Sequence, residues 1–162
     1  MRFPRNLVRS FSRKPSTGTQ VSVPGFQDFG IIADGAHDDT EALQAAIKKV
    51  ARGVLYLPLG DILVTTAIQL PPTLHLVGAP TTIRVVGDTD GLTCLTPNRT
   101  RGGSISNMTL DAAGAGRNAV SLIGVDHFNV VNVHATGSWQ SAWIVDNCHA
   151  TQFIDCSGVG TR

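Results

Sequence analysis

Residues 106–111 read SNMTLD and residues 131–136 read VNVHAT, so an asparagine followed by alternating residues returns after 25 positions. Residues 153–156, FIDC, carry a shorter version about 22 positions further on. A second series of short apolar segments lies between them: residues 91–94, 119–124 and 142–145. A period of 22 to 28 residues with two or three very short strands is typical of a parallel β-solenoid, in which each coil stacks on the one before.

The segment before this repeat has the same strand-and-turn character. Its apolar runs of three to five residues are broken by Gly, Pro, Asn and Asp: residues 54–57, 61–64, 68–70, 74–77 and 82–86. The chain has 11 Asp but one Glu, and 10 Arg but three Lys, so residues that favour long helices are scarce. The sequence therefore predicts an all-β fold and excludes a helical bundle.

Residues 41–50, EALQAAIKKV, form a single amphipathic helix in this prediction. Its apolar positions follow the helical spacing i, i+3, i+4 and i+7: Leu43, Ala46, Ile47 and Val50. Gly53 is expected to stop the helix. Because the first coil of a solenoid exposes unpaired backbone and an open core, we expect the helix to lie across that end and cover both.

The residues before the helix, 33–40, are predicted to form a loop. Gly30 and Gly35 permit turns, and three residues can cap the free N–H groups of the helix: Asp38, Asp39 and Thr40. Paired acids in such a loop also suit a catalytic carboxylate pair or a Ca²⁺ site. From the residues alone, these alternatives stay open.

Residues 1–24 form a separate basic arm. All of its charged residues are cations: Arg2, Arg5, Arg9, Arg13 and Lys14. The arm carries +5, so the remainder of this +1 chain carries −4. Phe3, Leu7 and Phe11 lie between the arginines. We interpret the arm as binding an acidic partner surface, with arginines pairing to carboxylates and the apolar side chains as anchors. A targeting peptide and a solvated, unbound terminus are the alternatives.

Several functional classes receive no support from the sequence. Cys94, Cys148 and Cys156 lack the spacing of zinc or redox sites, which favours core thiols. No apolar stretch is long enough to span a membrane, and no secretory signal follows the basic start. Acids outnumber bases beyond the arm, which disfavours nucleic acid as a partner. We expect no cofactor and no metal.

Four acids lie in or beside the later coils: Asp111, Asp126, Asp146 and Asp155. If the coils align as the repeat suggests, Asp111, His134 and Asp155 lie along one side, where carboxylates can act as general acid and base. The preferred interpretation is structural, because Asp at a coil corner commonly bonds the turn backbone and a single His is commonly a hydrogen-bonded surface residue.

Two further pairs are informative. Asn107 and Asn132 share a register, so their amides are expected to form a ladder between coils. Trp139 and Trp143 have the aromatic surface that stacks on sugar rings, but burial in a coil or in a subunit interface is the preferred interpretation.

The chain opens with a recognisable order of motifs. It has DFG at residues 28–30, DGAHDDT at 34–40, the helix core ALQAAI at 42–47, GVLYLPLG at 53–60 and IQLP at 68–71. This order resembles the start of the pectate-lyase-like superfamily of right-handed parallel β-helices, in the form found at the front of phage tailspikes and tail fibres. The match is close over about residues 26–86 and general in the later coils.

The resemblance implies an all-β, right-handed parallel β-helix (solenoid) with an N-terminal capping α-helix and an extended N-terminal arm. Residues 1–24 would be the virion-anchoring arm, and residues 25–162 the cap and first coils, at the front of a longer chain. The opening acids and glycines would be structural, since that segment lies away from the polysaccharide groove in the family: Asp28, Gly30, Asp34, Gly35, Asp38, Asp39 and Thr40.

The implied function is that of a tail fibre or tailspike protein in the virion, assembled in the host cytoplasm. Its partners would be phage tail proteins bound by the arm, two further copies in a homotrimer, and a host surface glycan on downstream coils. One alternative is a polysaccharide lyase or hydrolase whose site lies mostly downstream. The other is a short adaptor that connects a fibre to the tail.

Overall fold

The chain winds into a parallel β-solenoid, described by a computed structural model for residues 29–96 and 101–160. Asp28 and the whole basic arm lie outside these residues. The elements follow in this order: β1 (Asp34–Asp38), α1 (Thr40–Val50), β2 (Gly53–Tyr56), β3 (Gly60–Val64), β4 (Ile68–Gln69), β5 (Leu74–Val85), β6 (Leu92–Leu95), β7 (Ser104–Ile123), β8 (Asn129–Asp146), β9 (Gln152–Ile154) and β10 (Ser157–Gly160).

The strands stack into three faces. The first face contains β2, β9 and the first parts of β5, β7 and β8. The second contains β1, β3, β10, the last part of β5 and the middle parts of β7 and β8. The third contains β4, β6 and the last parts of β7 and β8. The long strands therefore run around corners from one face to the next.

The predicted repeat is confirmed by the register. Ser106 pairs with Val131 and Asp111 with Thr136, which is the offset of 25 positions. On the third face, Leu92 pairs with Val120 and Val120 with Trp143. Side chains at paired positions form columns along the solenoid, and one core column marks five described coils: Leu55, Leu76, Ile105, Val130 and Phe153.

Helix α1 covers the first coil, as predicted. Leu43, Ala46 and Ile47 are fully buried against the core. The side chain of Gln44 also pairs with the backbone of Gln69: its Nε2 donates to the Gln69 carbonyl at 3.0 Å, and its Oε1 accepts from the Gln69 N–H at 2.8 Å. The helix therefore closes both the apolar core and part of the backbone edge of β4.

Three local predictions were wrong. The predicted loop at 33–40 contains β1, because Asp34 and Asp38 pair with Asp61 and Leu63 of β3. The predicted strands at 74–77 and 82–86 belong to one continuous strand, β5. The helix ends before Gly53: Ala51 takes the C-cap position with φ of 27°, and Gly53 begins β2.

In the described residues, no helix has the length and apolarity needed to cross a bilayer.

Candidate functional site

A groove lies where the first face turns into the second. The early corners are wide: three residues separate Tyr56 from Gly60, and three more, 78–80, separate Val77 from Thr81. In the next coil Asn107 alone makes the same corner, because Ser106 pairs with Val77 and Met108 with Thr81. The wide corner projects beyond the narrow ones and forms one wall of an open depression of about 550 Å³.

The narrow corners are held by asparagines in the left-handed conformation. Asn107 and Asn132 have φ of 57° and 51°, which Asn tolerates better than most residues. The Asn132 Nδ2 donates to the Asn107 Oδ1 at 3.1 Å, so the predicted amide ladder is confirmed. Both side chains line the groove.

This ladder continues into a histidine. The Nε2 of His134 lies 3.0 Å from the Asn132 Oδ1, and its Nδ1 lies 2.8 Å from the Ser157 hydroxyl. Because the Asn132 Nδ2 donates to Asn107, the Asn132 Oδ1 must accept a hydrogen bond from the Nε2–H of His134. The neutral ring is therefore the Nε2–H tautomer, with Nδ1 accepting from Ser157. Both ring nitrogens have partners, which fixes the ring at the groove wall.

The second face extends the groove as a strip of polar side chains. Outward positions form a column of register partners: Asp61, Thr82, Thr109, His134 and Ser157. The neighbouring column contains Arg84, Asp111 and Thr136. Inward positions on the same strands are apolar and buried, Ile62, Ile83 and Leu110 among them. The alternation of side chains along these strands thus separates the buried core from the polar outer strip.

Arg84 ties this strip together. Its Nη2 lies 3.2 Å from the Asp61 Oδ2, and its Nε donates to the Asp111 Oδ2 at 3.4 Å. The Thr136 hydroxyl donates to the other oxygen of Asp111 at 3.2 Å. The cation therefore bridges three successive coils, and both of its partners are carboxylates.

The structure separates the three sequence candidates for acid–base chemistry. Asp111 and His134 lie on the second face in neighbouring columns. Asp155 lies at the next corner, level with Asn132, since Ile154 pairs with Val131 and Ser157 with His134. Its φ of 51° matches that of the corner asparagines, so it occupies their position rather than a place beside Asp111.

The acids of the opening segment accept hydrogen bonds from backbone N–H groups. Asp34 Oδ1 accepts the N–H groups of Ala36 and His37, each at 2.9 Å, and its Oδ2 lies 2.6 Å from the His37 Nδ1. These bonds, led by the one from the His37 backbone, lower the pKa of Asp34 to about 2. Gly30 and Gly35 both have φ of 73°, which suits the turns assigned to them.

The three helix-cap candidates have distinct roles. Asp38 Oδ1 accepts from the Thr40 hydroxyl at 2.5 Å and from its N–H at 3.0 Å, and the hydroxyl bond is the main reason why the pKa of Asp38 is lowered. Thr40 is the first helical residue, and its Oγ1 accepts the Thr65 N–H. Asp39 holds the N-cap position, but its side chain makes no capping bond. Its buried carboxylate instead accepts from Ile32 and Ala33, fixing the chain before β1.

The remaining candidates are structural. Trp139 is fully buried, as the preferred interpretation held, whereas Trp143 is half-buried and packs on Phe153 with ring centroids 5.4 Å apart. All three cysteines are free thiols, and burial raises the pKa of Cys94 to about 12. Asp126 is buried at another corner, 4.0 Å from the Arg101 Nε. Across the described ranges, no group of three or more His, Cys, Asp or Glu is placed to hold a metal ion.

Sequence reasoning missed Asp61, Thr82, Arg84 and Thr109. Part of the signal was present in the strands themselves: residues 82–85, TIRV, alternate polar and apolar, and residues 61–64, DILV, begin with a polar residue in the same phase. Reading the outward positions of both strands together would have placed Asp61 and Arg84 on one surface.

Comparison with known proteins identifies the family of this chain. The model of the family "Rhamnogalacturonase A/epimerase, pectate lyase-like" matches residues 22–142, about three quarters of the chain. The chain belongs to this family. The pectate-lyase-like resemblance seen in the opening motifs is therefore confirmed, as is the parallel β-helix fold.

Two relatives of this pectate-lyase-like chain come from Azotobacter vinelandii. Mannuronan C5-epimerase AlgE3 is 36% identical over 77 residues, which covers 41% of this chain and 4% of the epimerase. The A-module of mannuronan C-5 epimerase AlgE4 has a TM-score of 0.57 at 17% identity, covering 84% of this chain and 50% of the module. The chain thus spans half or less of either relative.

A third similar protein is PfbA, a surface adhesin of Streptococcus pneumoniae. Its structure matches with a TM-score of 0.54 at 17% identity, over 73% of this chain and 39% of the adhesin. At this level of identity, the adhesin and the AlgE4 module show that the β-helix fold is shared.

Proposed function

We propose that this pectate-lyase-like chain binds a polysaccharide in the groove and along the second face. The observation that carries the proposal is an open depression of about 550 Å³ lined by hydroxyl, amide and imidazole groups. Sugars offer many hydroxyls that donate and accept hydrogen bonds, and such groups match them. The family description and the epimerase relatives, which by name act on mannuronan, support a glycan as the ligand class.

Thr82 and Thr109 are the best probes of this binding. Both are half-buried, lie in one column and line the groove. Replacing each by Val keeps the shape and removes the hydroxyl. A neutral hydrogen bond contributes about 0.5–1.5 kcal/mol, so the double variant is expected to lose about tenfold in affinity.

The experiment is calorimetry or affinity electrophoresis of the protein against a panel of neutral and uronate polysaccharides. Thr93→Val is the matched control, because Thr93 lies on β6 of the third face and its buried hydroxyl has no hydrogen-bond partner in the described part of the chain. Loss of affinity in Thr82→Val/Thr109→Val but not in Thr93→Val supports the proposal. Absence of binding to every polysaccharide, or equal binding by all three proteins, contradicts it.

A second proposal is that the bound polysaccharide is chemically modified. Asp61 and Asp111 contact Arg84 on the second face, in the columns that continue from the groove, so a chain bound along this face would pass two carboxylates. A carboxylate pair suits general acid–base chemistry on a sugar. Proton NMR of the polymer after incubation would detect glycosidic cleavage, and Asp111→Asn should abolish it. An unchanged polymer with the wild-type protein would contradict this proposal.

The sequence also supports a role in a phage particle, as a tail fibre or tailspike protein. The opening motifs resemble those proteins, and the arm carries five cations and no acid. We propose that residues 1–24 attach the chain to a tail protein, within a homotrimer. Deleting them should prevent incorporation into particles while the β-rich circular dichroism spectrum is unchanged. Normal incorporation of the deleted chain would overturn the attachment.

A further inference from the structure

The second face carries an excess of carboxylates. Its outward or bordering acids in β1, β3 and β7 are Asp34, Asp38, Asp61 and Asp111. Arg84 is the one Lys or Arg on this face among the described residues. The other described Lys and Arg residues lie elsewhere: Lys48 and Lys49 on α1, Arg52 between α1 and β2, Arg101 at a different corner, and Arg117 paired with Asp88.

That single arginine is already neutralised. Asp61 and Asp111 contact it from both sides, at 3.2 and 3.4 Å. A uronate carboxylate that approached Arg84 would have to displace one of them and leave it near a second negative charge. Like charges at short range repel. At low salt, the solvent around this half-exposed site screens the repulsion incompletely.

The groove itself offers neutral partners. Its polar lining includes the Thr82 and Thr109 hydroxyls, the Asn107 and Asn132 amides and His134, together with Thr81, whose hydroxyl donates to the Pro58 carbonyl. In the neutral tautomer of His134, the Nε2 proton is directed to Asn132 rather than outward. These groups suit sugar hydroxyls and supply no fixed positive charge.

We infer that the groove selects uncharged polysaccharide and discriminates against polyuronates, an inference that rests on the proposed glycan binding. The epimerase relatives act, by name, on mannuronan, a uronic acid polymer. This chain has the family's β-helix but presents it with an acidic binding strip. Its ligand class therefore differs from that of those relatives.

The test compares polymers that differ only in charge. Polymannuronate and polygalacturonate are each paired with their carboxyl-reduced form, which keeps backbone and linkage, alongside the neutral panel. Binding is measured at about 10 mM and about 150 mM salt. We expect reduced or other neutral polymers to bind at least about tenfold more tightly than any polyuronate at low salt, and the gap to narrow at high salt because repulsion is screened.

Variants identify the cause. In Asp61→Asn/Asp111→Asn, Arg84 loses both partners, and the ratio of uronate to reduced-polymer affinity should rise about tenfold. Asp88→Asn is the matched control, because it frees Arg117 in the same way but away from the second face. Arg84→Gln should not weaken uronate binding. Circular dichroism verifies folding, and Asp111→Asn alone serves if the double variant unfolds.

The outcomes are distinct. Tighter binding of a polyuronate than of its reduced form, with affinity lost in Arg84→Gln, overturns the charge inference but leaves glycan binding intact. Failure of every neutral and charged polymer to bind overturns the proposed function as well. Binding of neutral polymers alone, with the shifted ratio in the Asn variant, supports both.

Discussion

Core positions are buried at the first end of the described solenoid and partly exposed at the last. At the first coil, Ile47 of α1 is 0% exposed and lies over the core. At the last described coil, the core-column residue Phe153 is 37% exposed. Phe153 belongs to the core column that contains Leu55 and Val130, both fully buried.

The difference lies in the layer above, not in the residue type. Val145 pairs with Leu122, a buried core residue, yet is 47% exposed. Trp143 shelters part of Phe153, but neither has a covering layer in the described residues like the one that α1 gives the first coil. Stability in a solenoid is approximately a sum of coil terms and interface terms, so residues at the two ends should contribute unequally.

The largest expected effect comes from opening the closed end. Ile47→Ala removes buried methyl groups and leaves a cavity, which typically costs about 2–5 kcal/mol of unfolding free energy. Val145→Ala removes methyl groups from a core column at the other end, where the side chain is 47% exposed, and should cost less than about 1.5 kcal/mol. Urea denaturation of both variants measures the contrast. Equal losses would mean that the last coil is covered in solution.

A smaller effect is expected at the corners. Asn132 lies between two coils, so Asn132→Ala loses the amide ladder and places alanine in the left-handed region, at a cost of about 2 kcal/mol. Asn132→Gly keeps the backbone conformation and should recover roughly half of this loss. Asp155→Ala tests the same corner in the last described coil. A glycine variant as unstable as the alanine variant would assign the whole effect to the ladder.

The fold was predictable because it rests on a repeat. The offset between 106–111 and 131–136 equals the observed pairing register, and the periodicity of residues 41–50 gave the helix and its buried face. In a solenoid, equivalent positions of successive coils stack on each other, so the sequence offset of the repeat equals the pairing register of the strands. Strand β1 escaped prediction because DGAHD is almost entirely polar and pairs only along β3.

The candidate site was less predictable because it depends on differences between coils. The groove exists because residues 78–80 make a wide corner in one coil where Asn107 alone makes a narrow corner in the next. A search for repeats looks for what coils have in common, so it passes over such insertions. In the Arg84 cluster, Arg84 contacts Asp61, 23 positions before it, and Asp111, 27 positions after it, so the cluster spans three coils. Aligning Asp155 with Asp111 failed by four residues, because Asp155 is level with Asn132, whereas the register partner of Asp111 is Thr136.

The backbone contribution of α1 can be separated from its apolar face. Gln44→Ala leaves the core intact but removes both bonds to Gln69, and should lower the unfolding free energy by about 1 kcal/mol at this exposed edge. Gln152→Ala, at an exposed position in the last described coil, is the matched control. Hydrogen exchange at the Gln69 amide provides a direct readout, because the Gln44 side chain is its acceptor. Unchanged protection there would contradict the edge-closing role.

The smallest effect is electrostatic and appears only in acid. The pKa of Asp34 is lowered from 3.8 to about 2 by bonds that the unfolded chain lacks, so its charged form favours the folded state. This contribution is fully present above the unfolded value near 3.8 and is lost as the pH falls toward 2. Asp34→Asn should therefore flatten the decline of the melting temperature between about pH 4 and pH 2. Asp155→Asn, at an exposed corner, controls for charge removal alone, and a decline as steep in Asp34→Asn as in the wild type would show that this turn does not link acid to the stability of the closed end.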